Sequence, residues 1–227
     1  MNVVHISTII PLDPDRSALL DAKNRVLLLT LERLVSRFDI LAGDIDVKAR
    51  GISWAMRAFP CPVLYVPGNH EYFGGHLFGT LAKMRVSCAA SHVQVLDRDV
   101  VEIGDVRFLG ATAWTDFSAT GNTPLASITA QSSMNDYRLI RTGENYRRIK
   151  PGDLAAEARK TRNWFLSKLA EPFSGQTIVI THHAPLMRSL VENPHSGGHL
   201  DAAYANECGF HGHPATHSMS IWPPIPR

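Results

Sequence analysis

The sequence predicts an α/β fold in which two mixed β-sheets pack face to face and are flanked by helices, an αββα sandwich. Three observations predict it. Three short apolar runs, Phe38-Asp39-Ile40-Leu41-Ala42, Val63-Leu64-Tyr65-Val66 and Thr177-Ile178-Val179-Ile180, have the length and β-rich composition of buried strands. Each stops at a polar signal: Gly43-Asp44, Pro67-Gly68-Asn69-His70, and His182-His183-Ala184-Pro185. Helical periodicity fills much of the chain between them, the alternation that builds parallel sheets through βαβ crossovers, while closely spaced strands in mid-chain imply antiparallel pairing as well.

In chain order, Val3-Val4-His5-Ile6-Ser7 is the first expected strand. Asp13-Pro14 then gives an N-cap and a proline at the first helical position, opening a helix that runs to about residue 36. Leu20, Leu27, Leu31, Leu34 and Val35 recur at helical spacing and should face the sheet. A second helix is expected over 47–58, with Trp54 packing inward. Pro60 and Pro62 bracket the entry to the strand at Val63. Tyr72-Phe73-Gly74-Gly75 has two readings: an aromatic wall beside a substrate, or a turn that its glycines permit. A helix over 76–90 precedes three short strands over 93–96, 100–103 and 106–110, the last two joined by a Gly104-Asp105 hairpin turn. Residues 118–133, rich in Ser, Thr, Gly and Ala, read as a long loop or weak helix with the character of a lid. A strong helix over 154–169 has Asp153 as its expected cap and Pro172 beyond its end.

Composition narrows the function classes. A chain of 227 residues with 44% hydrophobic and 19% charged residues is expected to form one globular domain, over 1–206, followed by an irregular tail over 207–227. The tail ends in Trp222-Pro223-Pro224-Ile225-Pro226, which fits neither helix nor strand. A net charge of +2 gives no case for nucleic acid. Three widely spaced cysteines imply no disulfide framework. The apolar run over 26–35 is broken by Thr30, Glu32 and Arg33, so no membrane span is expected. No basic region precedes the first apolar run, so no signal peptide is expected and the reading is cytoplasmic.

The strand ends carry the chemistry. Asp44 brings a carboxylate, Asn69 a carbonyl oxygen, and His70, His182 and His183 imidazoles, all just past the C-terminal ends of strands, where open α/β sheets place their sites. One such ending is an ordinary turn with a surface histidine. Three together point to a site for zinc or another transition metal. Met134-Asn135-Asp136-Tyr137-Arg138 is a further candidate for the cleft, with Arg138 or Arg141 meeting phosphate through a guanidinium fork. A solvated basic patch continuing through Arg147-Arg148 is the competing reading of those arginines.

On Leu41-Ala42-Gly43-Asp44, Val66-Pro67-Gly68-Asn69-His70-Glu71 and Thr181-His182-His183-Ala184-Pro185, the chain resembles the calcineurin-like metallophosphoesterases. The similarity extends to Phe108-Leu109-Gly110-Ala111-Thr112-Ala113-Trp114-Thr115-Asp116-Phe117 and Met134–Arg138, and runs from about Phe38 to Asn206. The resemblance implies a phosphoester hydrolase in which a metal-activated water attacks phosphorus, with one or two divalent ions (Mn, Fe or Zn) per chain. It implies that Asp44 bridges the ions, that Asn69 and His182 are metal ligands, and that His70 protonates the leaving group. His183 and Arg138 are then expected beside the substrate, and His211 or His213 to complete the metal set.

Both ends depart from that pattern. Thr8 and Ile10 stand where an Asp and a His are expected in the first motif. The interval from His182 to His211, 29 residues (211 − 182), is about ten short of the helix plus strand expected there. Cys208, His211, His213 and His217 have zinc-like spacing but a single cysteine, so a metal role and an irregular terminus both stand. Two functional expectations follow: an impaired phosphoesterase, or a non-catalytic scaffold that keeps the fold and binds metal, phosphate compounds or a partner.

Overall fold

A computed structural model describes residues 3–7, 38–190, 197–207 and 216–220. The expected helix over 13–36, and the positions Thr8, Ile10, Cys208, His211 and His213, lie outside the described residues.

The chain folds as an α/β sandwich. One sheet has five strands: β1 (Val3–Ser7), β5 (Asp99–Ile103), β6 (Val106–Ala111), β9 (Gln176–Thr181) and β10 (Thr216–Ser220). Their order is β10-β1-β9-β6-β5, parallel throughout except for the antiparallel β5–β6 hairpin. The second sheet is β2 (Asp39–Leu41), β3 (Val63–Tyr65) and β4 (Val93–Val95), all parallel, with β3 central. The mixed character is therefore confined to the larger sheet, and the mid-chain strands divide: β4 joins β2 and β3, whereas the hairpin joins β9. Strand β10 falls within the stretch the sequence reads as irregular; Thr216 pairs with Val3 and Ser220 with Ser7.

Both faces of the central strands are buried, so residues alternate between two apolar layers. Leu64 and Val66 turn toward the opposite sheet and meet Phe38, Leu96, Val106, Phe108, Ile178 and Ile180. Phe38 and Phe108 meet edge to face, their centroids 5.0 Å apart. The alternate residues Val63 and Tyr65 point outward, into the layer covered by α1 (Arg50–Ala58) and α2 (Leu77–Cys88). On the far side, Leu109, Ala111 and Val179 pack against Phe165 and Leu169 of the helix over Pro151–Ala170.

Trp54 corrects the sequence expectation. The face of α1 that meets the sheet is Gly51, Ile52 and Ala55. Trp54 is two residues beyond Ile52, about 200° around the helix, and it is 42% exposed against the edge of Phe59. Gly51 has a packing reason: a Cβ there would sit 2.3 Å from the Tyr65 hydroxyl oxygen.

The stretch with two readings, long loop or weak helix, contains a regular helix, α3 (Thr123–Ser133). Its start is specified locally, because Asn122 accepts from the Leu125 amide at 3.2 Å and Pro124 occupies the first turn. Ala126 and Ala130 are fully buried in a cluster with Tyr72, Trp114, Phe117, Tyr137, Ala202 and Ala203. A short helix α4 (Asp136–Leu139) follows, then the two-stranded ribbon β7 (Arg141–Thr142) and β8 (Arg147–Arg148). In α5 (Pro151–Ala170) Asp153 sits at the third helical position rather than at the cap. It accepts from the Lys150 amide at 2.8 Å and pairs with both Nη atoms of Arg147 at 2.7 and 2.8 Å. Among the described residues no helix is long and apolar enough to cross a membrane.

Candidate active site

The loops after β2 and β3 are locked to each other by Glu71. This carboxylate is 0% exposed and accepts four hydrogen bonds. They come from the amides of Asp44 (3.0 Å), Ile45 (2.8 Å) and Gly68 (2.8 Å) and from the Tyr65 hydroxyl (2.7 Å). Two charge-assisted bonds per carboxylate oxygen fully satisfy a buried negative charge. Close approach of the loops requires glycine at two points. A Cβ on Gly43 would lie 2.5 Å from the Gly68 nitrogen and 2.5 Å from His182 Nδ1, and one on Gly68 would lie 2.2 Å from Asp44 Oδ1. Gly43 (φ +94) and Asp44 (φ +60) both take the left-handed conformation. That turn carries the Asp44 side chain over the strand ends.

Asp44, Asn69, His70 and His182 converge there, as the sequence expects. His182 Nε2 lies 3.1 Å from Asn69 Oδ1 and 3.5 Å from Asp44 Oδ1. His70 donates its amide to Asp44 Oδ1 at 3.1 Å and holds its ring Nδ1 3.7 Å from Oδ2. The His70 ring lies on Phe73, centroids 4.6 Å apart, with about half of its side chain open to solvent. Gly74 in that loop has φ +68, the backbone conformation of the turn reading.

Proton positions follow from the partners. His182 Nδ1 is 2.9 Å from the Ala42 carbonyl, which can only accept, so Nδ1 carries the hydrogen. Asn69 Nδ2 is 3.2 Å from Asp136 Oδ2, a carboxylate that also accepts, so the amide oxygen is the end that faces His182. In a neutral ring His182 Nε2 is then a lone pair facing two oxygens. In that state three electron-pair donors converge. The separations suit a shared cation: two ligands with bonds of about 2.0–2.1 Å at a tetrahedral ion stand about 3.3 Å apart. Among the described residues no group of three His, Cys, Asp or Glu side chains is placed to hold a metal, and this trio reaches three donors only through the amide of Asn69.

The other candidates fall differently. His183 turns inward, 6% exposed, with its amide and Nδ1 both 3.2 Å from the Thr112 carbonyl and its ring 5.2 Å from that of Trp114. Burial, and then the neighbouring His182, push its pKa down to about 3. It supports the strand end from behind and presents no face to a substrate, which corrects the expectation that it contacts one. Arg138 is exposed and donates to the Ser132 carbonyl at 3.4 Å. None of its hydrogen bonds within the described residues reaches the four converging side chains, and both readings of that arginine stand. Two residues without an assigned role matter most: Glu71, visible in the Asn-His-Glu run, and Asp136, whose contact spans 67 positions and leaves no trace in local sequence. Burial holds the Asp136 carboxyl above the usual carboxylate range. From Asp44 an open groove of about 810 Å³ runs along α1, lined by Ile45, Asp46, Arg50, Ser53, Trp54 and Arg57.

No protein-family model matches this chain. A curated relative, an uncharacterised protein of Acanthamoeba polyphaga mimivirus, is 26% identical over 132 residues, covering 55% of this chain and 45% of its own length. Among solved structures the chain is similar to a phosphopantetheinyl hydrolase from Mycobacterium tuberculosis, with a TM-score of 0.55 and 15% identity over 75% of this chain and 65% of that one. The chain therefore spans less than half of the curated relative and just under two thirds of the solved one. The structural likeness is one of fold: a phosphopantetheinyl hydrolase is built on a similar α/β scaffold.

Proposed function

We propose that this chain is a metal-dependent phosphoester hydrolase of the calcineurin-like type, working from a reduced metal site. The observation that supports this reading is the convergence of Asp44 Oδ1, Asn69 Oδ1 and His182 Nε2, three atoms that can each donate an electron pair to a cation when the His182 ring is neutral. A lone pair pressed against two oxygens is unfavourable until a cation joins them or the ring takes a second proton. A carboxylate, an amide oxygen and an imidazole suit Mn, Fe or Zn.

A divalent ion held there supplies Lewis acidity toward a phosphoryl oxygen and lowers the pKa of a coordinated water. The protein's own groups do the rest. Asp44 holds the His70 amide and faces its ring, so the imidazole stays beside the strand ends while its other edge meets solvent. From there His70 gives a proton to the departing oxygen. The groove beside Asp44 receives the remainder of the ester. Arg57 has no partner among the described residues and is free to meet an anionic group, and exposed Trp54 offers an apolar surface.

The scaffold reading has its own support in the sequence, where Thr8 and Ile10 stand in place of two expected ligands, and it goes with at most one tightly held ion. Metal analysis of purified protein, combined with hydrolysis of bis(p-nitrophenyl) phosphate and p-nitrophenyl phosphate, separates the two. We expect up to one Mn, Fe or Zn per chain and slow hydrolysis that Asp44→Asn and His182→Ala abolish. Bound metal without hydrolysis of either ester would establish a metal-binding scaffold, and protein that takes up no metal would overturn the hydrolase reading and leave a scaffold for phosphate compounds or a partner.

A further inference from the structure

We propose that Asp136 is a positioning residue for the candidate metal site, dictating which end of the Asn69 amide faces Asp44 and His182. The inference rests on reading that trio as a cation-binding set. Asp136 opens α4, is 2% exposed, and accepts from Asn69 Nδ2 through Oδ2 at 3.2 Å. Its other oxygen, Oδ1, is buried and has no hydrogen-bond partner among the described residues. Asn69 is itself only 8% exposed, so water does not decide its orientation.

The need for such a device follows from the neighbours. In the neutral, cation-binding form of the site His182 Nε2 is an acceptor, because Nδ1 serves the Ala42 carbonyl. Left to itself, the Asn69 amide would turn its NH2 group toward that lone pair and toward the Asp44 carboxylate, gaining hydrogen bonds and blocking the cation. Asp136 opposes this rotation. If the amide turned, its carbonyl would face a buried carboxylate that already has one unpaired oxygen, and two acceptors would be left in contact. The carboxylate thus holds Asn69 Oδ1 against His182 in the orientation a cation needs, before any cation arrives. Outer groups that orient a metal ligand typically change affinity by about 10–100-fold when removed.

The test measures Mn²⁺ binding by titration calorimetry on the full chain, with circular dichroism to verify folding. Asp136→Ala should weaken Mn²⁺ binding by about 10–100-fold. Asp136→Asn, whose carbonyl can still accept from Asn69 Nδ2, should recover most of that loss. Adding Asp136→Ala to Asn69→Ala should cost nothing further, since the carboxylate acts through the amide. Asp136→Leu, close in volume, tests the same loss if the alanine variant does not fold. A folded Asp136→Ala or Asp136→Leu protein that binds Mn²⁺ like the wild type overturns the inference and leaves the metal site standing, as does full additivity in the double variant. Wild-type protein that takes up no Mn²⁺ overturns the metal reading and the inference with it.

Discussion

Glu71 and Asp136 are carboxylates of nearly equal burial on opposite sides of the same loops, and their surroundings treat them differently. Glu71 meets four donors, three of them backbone amides. Asp136 meets one donor and keeps an oxygen without a partner among the described residues. Behind the strand ends every charge of the brace is answered, and the result is a fixed backbone. In front of them, when the His182 ring is neutral, acceptors face acceptors at His182, Asn69 and Asp44. Complete satisfaction marks the part of the molecule that only has to hold still. On the proposed reading the shortfall marks the part arranged for a cation.

Removing the brace should have the largest effect. Glu71→Ala leaves three amides and a phenol without their acceptor, at roughly 1–3 kcal/mol for each group that stays buried. A loss of about 4 kcal/mol or more is expected, a large part of the 5–15 kcal/mol typical of whole domains. Urea denaturation measures it. A loss below about 1 kcal/mol would mean that water replaces the carboxylate, and the contrast between the two regions would fail.

His70→Ala strikes the front of the site and should leave stability nearly unchanged, because the ring is half exposed and its backbone bond to Asp44 does not need the side chain. Turnover should fall by about 10²–10⁴-fold, the range for a lost general acid, with metal content unaltered. Hydrolysis that survives at the wild-type rate removes His70 from the chemistry. Loss of metal in parallel would make it a ligand instead.

The smallest effect should come from a carboxylate in neither region. Asp153 is partly exposed and answers Arg147 and the start of α5. The Arg147 guanidinium holds its carboxyl below the usual range. A lowered folded pKa adds stability that is present above the unfolded value of about 3.9 and is lost as pH falls through the folded one. Asp153→Asn should therefore lower the thermal midpoint slightly at neutral pH, and the gap from wild type should close under strongly acid conditions. A gap as wide as that of Glu71→Ala would show that depth of burial does not rank these carboxylates.

Much of this arrangement is legible in local sequence. The strands ending at Asp44, Asn69-His70 and His182 are found because apolar runs and the Gly and Pro that stop them are neighbours in the chain, and the fold sets such strand ends side by side. The placement of side chains around helices and in loops is less legible. Trp54 looks like a core residue by size, yet the face of α1 is set by Gly51, Ile52 and Ala55, whose small and compact side chains let the helix approach Tyr65. Residues 123–133 lack a strong apolar period, so their helix rests on the Asn122 cap and on two alanines buried among residues distant in the chain, Tyr72, Trp114, Phe117, Ala202 and Ala203. His182 and His183 are adjacent and identical, and the strand's alternation sends one to the donor cluster and the other behind Thr112.

The sequence alone determined the α/β class, the strand ends and the four residues Asp44, Asn69, His70 and His182, since each is announced by a pattern a few residues long. Only the tertiary structure decided how those groups are oriented. The direction of the Asn69 amide is set by Asp136, 67 positions away, and the turn at Asp44 is held by Glu71, 27 positions away. Hydrogen-bond polarity between distant groups depends on which donors and acceptors folding brings within about 3 Å of each other. No local periodicity encodes that.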